Sequence, residues 1–425
     1  MPNEEFLQFI WKFGLFDKEN LYTIDGQKVE IVSLGIQNTD AGPDFFNARL
    51  KIGDTLWAGN VEVHKHSSDW EKHKHGSDEA YNNVILHIVG KYGMPATRKN
   101  GTAIPTVELT YLAELEQKYD ELISSKPRTA CRPFISSIDS FLLKNFLSRV
   151  LVERLEAKSE RLLHILSETN GDWSEVFYRT LFRSFGFGIN AIPFELLAQQ
   201  TPLLGIAKHR SSLIQLEALL FGQAGFLEED PLDDYQSKLK AEYVFLQSKL
   251  KLKPVGKHVW KFSRLRPSNF PTIRIAQLAY LLHQSSHIVD SVLSFKNIED
   301  YFELFNIKTS AYWETHYSFG VEVKQKVKQL GKQSIERIVS NAVVPFVFTY
   351  GKMRGNEELQ EKALLLLESL TPENNAIIDE WAVVGIKAEN AFFSQALLQL
   401  KQSYCDKQKC LSCIIGNRMF IEKKL

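Results

Sequence analysis

Between Asn38 and His87 the chain concentrates residues that can handle a proton or a cation. His64, His66, His73, His75 and His87 fall there, five of the eleven histidines in 425 residues. Asp40, Asp44, Glu62, Asp69 and Asp78 stand among them. Side chains alternate along a strand, so VEVHKH would present Glu62, His64 and His66 on one face and Val61, Val63 and Lys65 on the other. A carboxylate and an imidazole two residues apart on one face can share a divalent cation or a water. Asp44 follows Gly42-Pro43 and opens the preceding β-rich run, and Gly53-Asp54 suits the turn of a hairpin between the two runs. Asp on one arm and Glu-x-His on the other can meet at one metal. The expected working set is Asp44, Glu62 and His64 for catalysis, with Asp44, Glu62 and His66 as metal ligands. The competing structural account is that Asp44 caps a turn and Glu62 pairs with a Lys or His on a solvated face.

A second cluster, Cys405, Cys410 and Cys413, has C-x4-C-x2-C spacing near the end of the chain, and the fourth cysteine is Cys131. In a reducing compartment clustered thiols read as metal ligands, and four thiolates suit Zn2+ or an iron–sulfur cluster. A third group, WKFSRLRPSNFPTIR, places Arg264, Arg266 and Arg274 among aromatics and prolines. Arginine forks suit phosphates, so this loop is a candidate contact for DNA or RNA. The competing account, and the simpler one, is an interdomain clasp in which these arginines bind carboxylates and helix C-terminal carbonyls.

The elements that would hold these groups divide the chain. Residues 3–15 have helical spacing of Phe6, Phe9, Ile10 and Phe13. VEIVSLGI, FFNARLKIG, LWAGNVEVH, NNVILHIV and AIPTVELTY read as strands separated by Asp, Gly, Pro and Asn, and a charged helix follows from Leu112 to Ser124. Beyond SSKPRTACRPFISS nearly every segment is helical in period. The expectation is an α+β protein: a mixed α/β domain over 1–127 and a larger all-α domain over 128–425 that carries the cysteine cluster.

Overall charge is balanced, with 51 basic and 51 acidic residues. Through Arg128 there are 14 Lys and Arg against 19 Asp and Glu, so the first part needs cations to tolerate phosphate. No apolar run is long enough to span a bilayer. The opening MPNEEFLQFIWKFGLF lacks the basic stretch of a secretory signal, and a cytoplasmic location with no membrane partner is expected.

Pro43-Asp44 followed by Glu62-Val63-His64 resembles the PD-(D/E)XK nuclease motif, over about the first 110 residues. The resemblance implies a restriction-endonuclease-like fold in which Asp44 and Glu62 bind Mg2+ or Mn2+, helped by the Val63 carbonyl. His64 stands where that superfamily usually has a Lys acting on the attacking water. Glu5 in the first helix would be an accessory acid. The plan of one remote and three clustered cysteines resembles RecB-like nucleases stapled by an iron–sulfur cluster, although Cys131 follows the acidic motif here. Over its full length, through GPDFFNARLKIG, WAGNVEVHKHSSDWEKH, RLRPSNFPTIR and CLSCIIGN, the chain resembles a bacterial family known only as a domain of unknown function. The function expected is a metal-dependent nuclease. The alternatives are a binding or scaffold protein with a structural cysteine site, and a His/carboxylate metal hydrolase of a small molecule.

Overall fold

A computed structural model describes residues 3–38, 41–124 and 131–421. The fold is mixed α+β, with a sheet in the N-terminal part and a larger helical part. Asp40 and the expected boundary at 127/128 lie outside the described residues. The chain forms two compact units, Met1–Leu143 with Lys401–Leu425, and Lys144–Leu400. The last segment therefore belongs to the first unit and not, as expected, to the helical one. The physical reason is apolar: Leu411, Met419 and Phe420 join the core of the first unit, where Phe420 meets Phe9 at 4.9 Å between ring centroids.

Helix α1 (Glu4–Phe13) starts where Asn3 Oδ1 accepts the Phe6 N–H at 3.0 Å and stops at Gly14, whose φ is 59°. Its apolar stripe, Phe6, Leu7, Phe9, Ile10 and Trp11, is buried. Strands β1 (Val29–Ser33), β2 (Ile36–Gln37), β3 (Phe45–Ile52) and β4 (Thr55–His66) follow. β3 and β4 are antiparallel, Ile52 pairs with Thr55, and Gly53 turns the hairpin with φ 57°. β1 and β2 both pair antiparallel with β3.

β5 (Val84–Lys91) runs parallel to β4, so residues 67–83 must cross over. This crossover contains the short helix α2 (Asp69–Lys72) and two 3-10 turns. β6 (Thr106–Glu108) adds parallel to β5, giving the order β1-β3-β4-β5-β6 with β2 on β3. Helix α3 (Ala113–Ser124) closes the run. Val61 and Val63 share a core with α1, while Trp70, Tyr81, Val84, Ala96 and Ile104 form a second, smaller core. Packing from both cores explains why Val61–His64 is buried at every residue, although β4 starts out exposed.

The second unit is helical apart from one two-stranded hairpin, His316–Ser318 with Val321–Glu322. Among the described residues no helix is long and apolar enough to cross a membrane.

Candidate functional site

The β3–β4 hairpin and α1 bring Asp44 and Glu62 together. Glu62 Oε2 accepts the Asp44 N–H at 3.1 Å, and Asp44 Oδ2 accepts the Val63 N–H at 2.9 Å. Gln8 on α1 donates Nε2–H to Asp44 Oδ1 at 2.8 Å. Burial raises the Asp44 carboxyl well above the usual range, and the neighbouring Glu62 charge raises it further. Glu62 is raised likewise, chiefly by burial. Glu4 contributes a third acidic charge that acts on both. Glu5, the expected accessory acid, acts instead on Tyr119 and Cys410, because helical spacing turns adjacent residues to different faces.

Four imidazoles adjoin the acids. His64 Nδ1 lies 2.9 Å from His87 Nε2, and His64 Nε2 lies 3.2 Å from His73 Nδ1. Glu62 Oε1 stands 3.5 Å from His64 Nε2 and 3.4 Å from His75 Nε2. Burial holds His64 down to about 2 and His87 down to about 3, with the other imidazoles adding to the effect. Both rings are therefore neutral at physiological pH, and neutral imidazole is the ligand form. Among the described residues, His64, His73 and His75 form the one set of His, Cys, Asp or Glu ligand atoms that all lie within 4.8 Å of one another.

The crossover delivers His73 and His75. Trp70 anchors it, buried and donating Nε1–H to the Thr97 carbonyl at 2.9 Å. Lys74 then takes a left-handed conformation, φ 59° and ψ 30°, and the flanking histidines converge on Glu62 and His64. A side chain in that conformation stores about 1–2 kcal/mol. Tyr81 stacks on His75 with ring centroids 3.8 Å apart. Burial and the acidic charges push its phenol up to about 12, so it stays protonated.

Of the expected residues, the structure groups Asp44, Glu62 and His64. His66 stands at the end of β4 with its N–H bound to Asp69 Oδ2 at 2.9 Å, and it is not among the converging imidazoles. His73, His75 and His87 occupy that role. Their density was visible in the sequence, but their convergence depends on the Lys74 turn and on a parallel pairing, Glu62 opposite His87.

Arg274 is not a surface contact. It is buried, donates to Gln277 Oε1 at 2.8 Å and Asn269 Oδ1 at 2.5 Å, and lies 4.4 Å from the Phe187 ring centroid. It falls in the first turn of the buried helix Pro271–Gln284, so it clasps the loop from inside. Arg264 and Arg266 remain exposed.

The cysteines carry thiols and no disulfide. Cys131 and Cys410 pack against the core of the first unit, and Cys413 is buried. Burial, with neighbouring Cys413 and Cys131, pushes the Cys410 thiol up to about 12. Among the described residues the thiols do not converge as closely as the three imidazoles do.

A family model described as Protein of unknown function (DUF2851) matches residues 4–376. The chain belongs to that family. No curated protein and no solved structure matches it. The span matched in DUF2851 includes α1, the hairpin, the crossover and β5, and therefore every acid and imidazole of the site.

Proposed function

We propose that this member of DUF2851 is a divalent-metal-dependent hydrolase of phosphodiesters, of nuclease type. The observation that carries the reading is the interlocked pair, Asp44 and Glu62, each bound to the backbone of the other's strand. The order helix, strands, hairpin, crossover and parallel strand agrees with the resemblance to PD-(D/E)XK proteins. Two buried carboxylates that repel one another fit Mg2+ or Mn2+, because a dication between them relieves both the repulsion and the desolvation.

A dication held there supplies Lewis acidity, which polarises a phosphoryl oxygen and acidifies a nearby water. Gln8 fixes the Asp44 carboxylate, while His64 and His75 flank Glu62. His64 departs from the superfamily's Lys. As a buried neutral ring with both nitrogens engaged, it suits orientation or ligation better than proton uptake. Trp70 and Tyr81 pack their rings against His75 and wall that flank of the imidazole cluster.

The experiment is a cleavage assay on single- and double-stranded DNA and RNA with Mg2+ or Mn2+. Wild type cuts at least one of these, and Asp44→Ala and Glu62→Ala do not. Equal cutting by all three proteins, or none by wild type, sinks the reading. The number of imidazoles favours a second reading, hydrolysis of a small molecule at the same centre. Turnover of a small phosphodiester without cutting of any polynucleotide would select it.

A further inference from the structure

The acid pair accounts for one side of Glu62 and leaves the other, which His64 and His75 face and His73 adjoins through His64, without a role. We propose that His64, His73 and His75 together with Glu62 Oε1 form a binding site for an imidazole-preferring dication of the Zn2+ class. The site would stand beside the position that Mg2+ or Mn2+ would take at Asp44, with Glu62 shared between the two.

The spacing supports this directly. Zn2+ with ligand bonds of about 2.05 Å in a tetrahedron separates its ligand atoms by about 3.3 Å. Three edges of the present set are 3.2 Å (His64 Nε2 to His73 Nδ1), 3.5 Å (His64 Nε2 to Glu62 Oε1) and 3.4 Å (His75 Nε2 to Glu62 Oε1). All three imidazole ligand atoms lie within 4.8 Å of one another. Glu62 Oε1 adjoins His64 and His75, while the three imidazole atoms close on one another, which a shared cation requires and a simple chain of hydrogen bonds does not.

His87 provides the outer support. If His64 Nδ1–H donates to His87 Nε2, 2.9 Å away, His64 Nε2 is a lone pair aimed at the centre. His87 is fully buried, and its Nδ1 has no hydrogen-bond partner among the described residues. A second buried polar ring beside His64 has no packing advantage over an apolar one, so fixing the His64 tautomer is what it contributes. Ligand type selects the metal: imidazole nitrogens favour Zn2+, whereas Mg2+ prefers oxygen. His73 is exposed, so the site opens to solvent on that side.

The inference rests on the hydrolase reading for the metal's purpose but not for its binding. The test strips the full chain with a chelator, then titrates it with Zn2+ by calorimetry and with Co2+ by absorption. His73→Ala and His75→Ala are expected to lower Zn2+ affinity about tenfold or more, and the exposed position of His73 makes its variant fold. Asp44→Ala is expected to keep the site while losing hydrolysis. Co2+ at nitrogen and oxygen ligands gives visible bands without the near-ultraviolet band of thiolate ligation, which separates this site from metal on the cysteines. Unchanged affinity and spectrum in the His73→Ala, His75→Ala double variant overturn the proposal, as does a purely thiolate Co2+ spectrum or no binding at all. Zn2+ binding through the triad without hydrolysis overturns the hydrolase reading alone. Hydrolysis without such binding overturns this one alone.

Discussion

Asp44 and Glu62 hold each other through the backbone: Glu62 Oε2 takes the Asp44 N–H at 3.1 Å, and Asp44 Oδ2 takes the Val63 N–H at 2.9 Å. The hairpin thus brings two like charges together and fixes them there, an arrangement that burial makes costly in the metal-free protein.

Asp44→Asn keeps an acceptor for the Val63 N–H and removes one buried charge. Without metal this variant should be as stable as wild type or more so in urea, while hydrolysis is abolished. Asp44→Ala leaves the Val63 N–H without that partner and should lose about 1–3 kcal/mol. A less stable Asn variant would mean that the pair is not under electrostatic strain.

His87→Phe preserves the buried ring volume and removes the partner of His64 Nδ1. Zn2+ affinity should fall about tenfold or more with little change in melting temperature. Equal affinity in the two proteins would show that His87 is packing alone.

The turn between His73 and His75 should tolerate Lys74→Gly, since glycine accepts the left-handed φ of 59°. Gly76→Ala should not be tolerated, because the new Cβ would stand 2.9 Å from the Thr97 carbonyl oxygen that anchors Trp70. A loss of about 1–3 kcal/mol and weaker Zn2+ binding are expected. Denaturation curves and calorimetry of the two variants check this.

In the second unit Glu217 is fully buried, accepts a hydrogen bond from Tyr235, and is pushed up to about 7 by burial. Because the folded value lies above the unfolded one, the folded state binds more protons between the two. Its contribution is complete below about pH 4.5 and is lost as pH rises through about 7. Glu217→Gln should flatten that dependence, and at pH 8 it should exceed wild type by up to ~3 kcal/mol. Urea melts at pH 5 and pH 8 measure both arms, and parallel pH dependence in the two proteins would refute it.

Arg274→Ala should lower the melting temperature and leave the exposed neighbours in place, since its partners are Gln277, Asn269, Ser334 and the Phe187 ring. Arg264→Ala and Arg266→Ala should leave stability within about 0.5 kcal/mol. Any nucleic-acid retention that depends on this loop should respond to the exposed pair alone.

The hairpin was readable because its signals are local: Gly53-Asp54 at the turn and apolar alternation on both arms place Asp44 opposite Glu62. Helix α1 was readable from its stripe, but which of Glu4 and Glu5 faces the acids was not. His87 carries no face signal, because Val84–Val89 is buried at every residue and alternation vanishes in such a strand. His73 and His75 lie in a crossover without periodicity, and their positions follow from a left-handed Lys that composition does not announce. Strand parity favoured His66 over them for that reason. Arg274 looked like its loop neighbours, yet the helix starts at Pro271 and carries it into the interior.

Leu411, Met419 and Phe420 complete the core that also holds Phe9 and Ile10. During synthesis the ribosome must therefore deliver all of Lys144–Leu400 before the first unit can close. The strands that carry Asp44 and Glu62 emerge early and wait, with part of their hydrophobic cover still unmade. Vectorial folding usually settles the N-terminal domain first. Here that order can be reversed: the helical unit is complete in the nascent chain while the sheet that holds Asp44 and Glu62 still lacks Leu411, Met419 and Phe420.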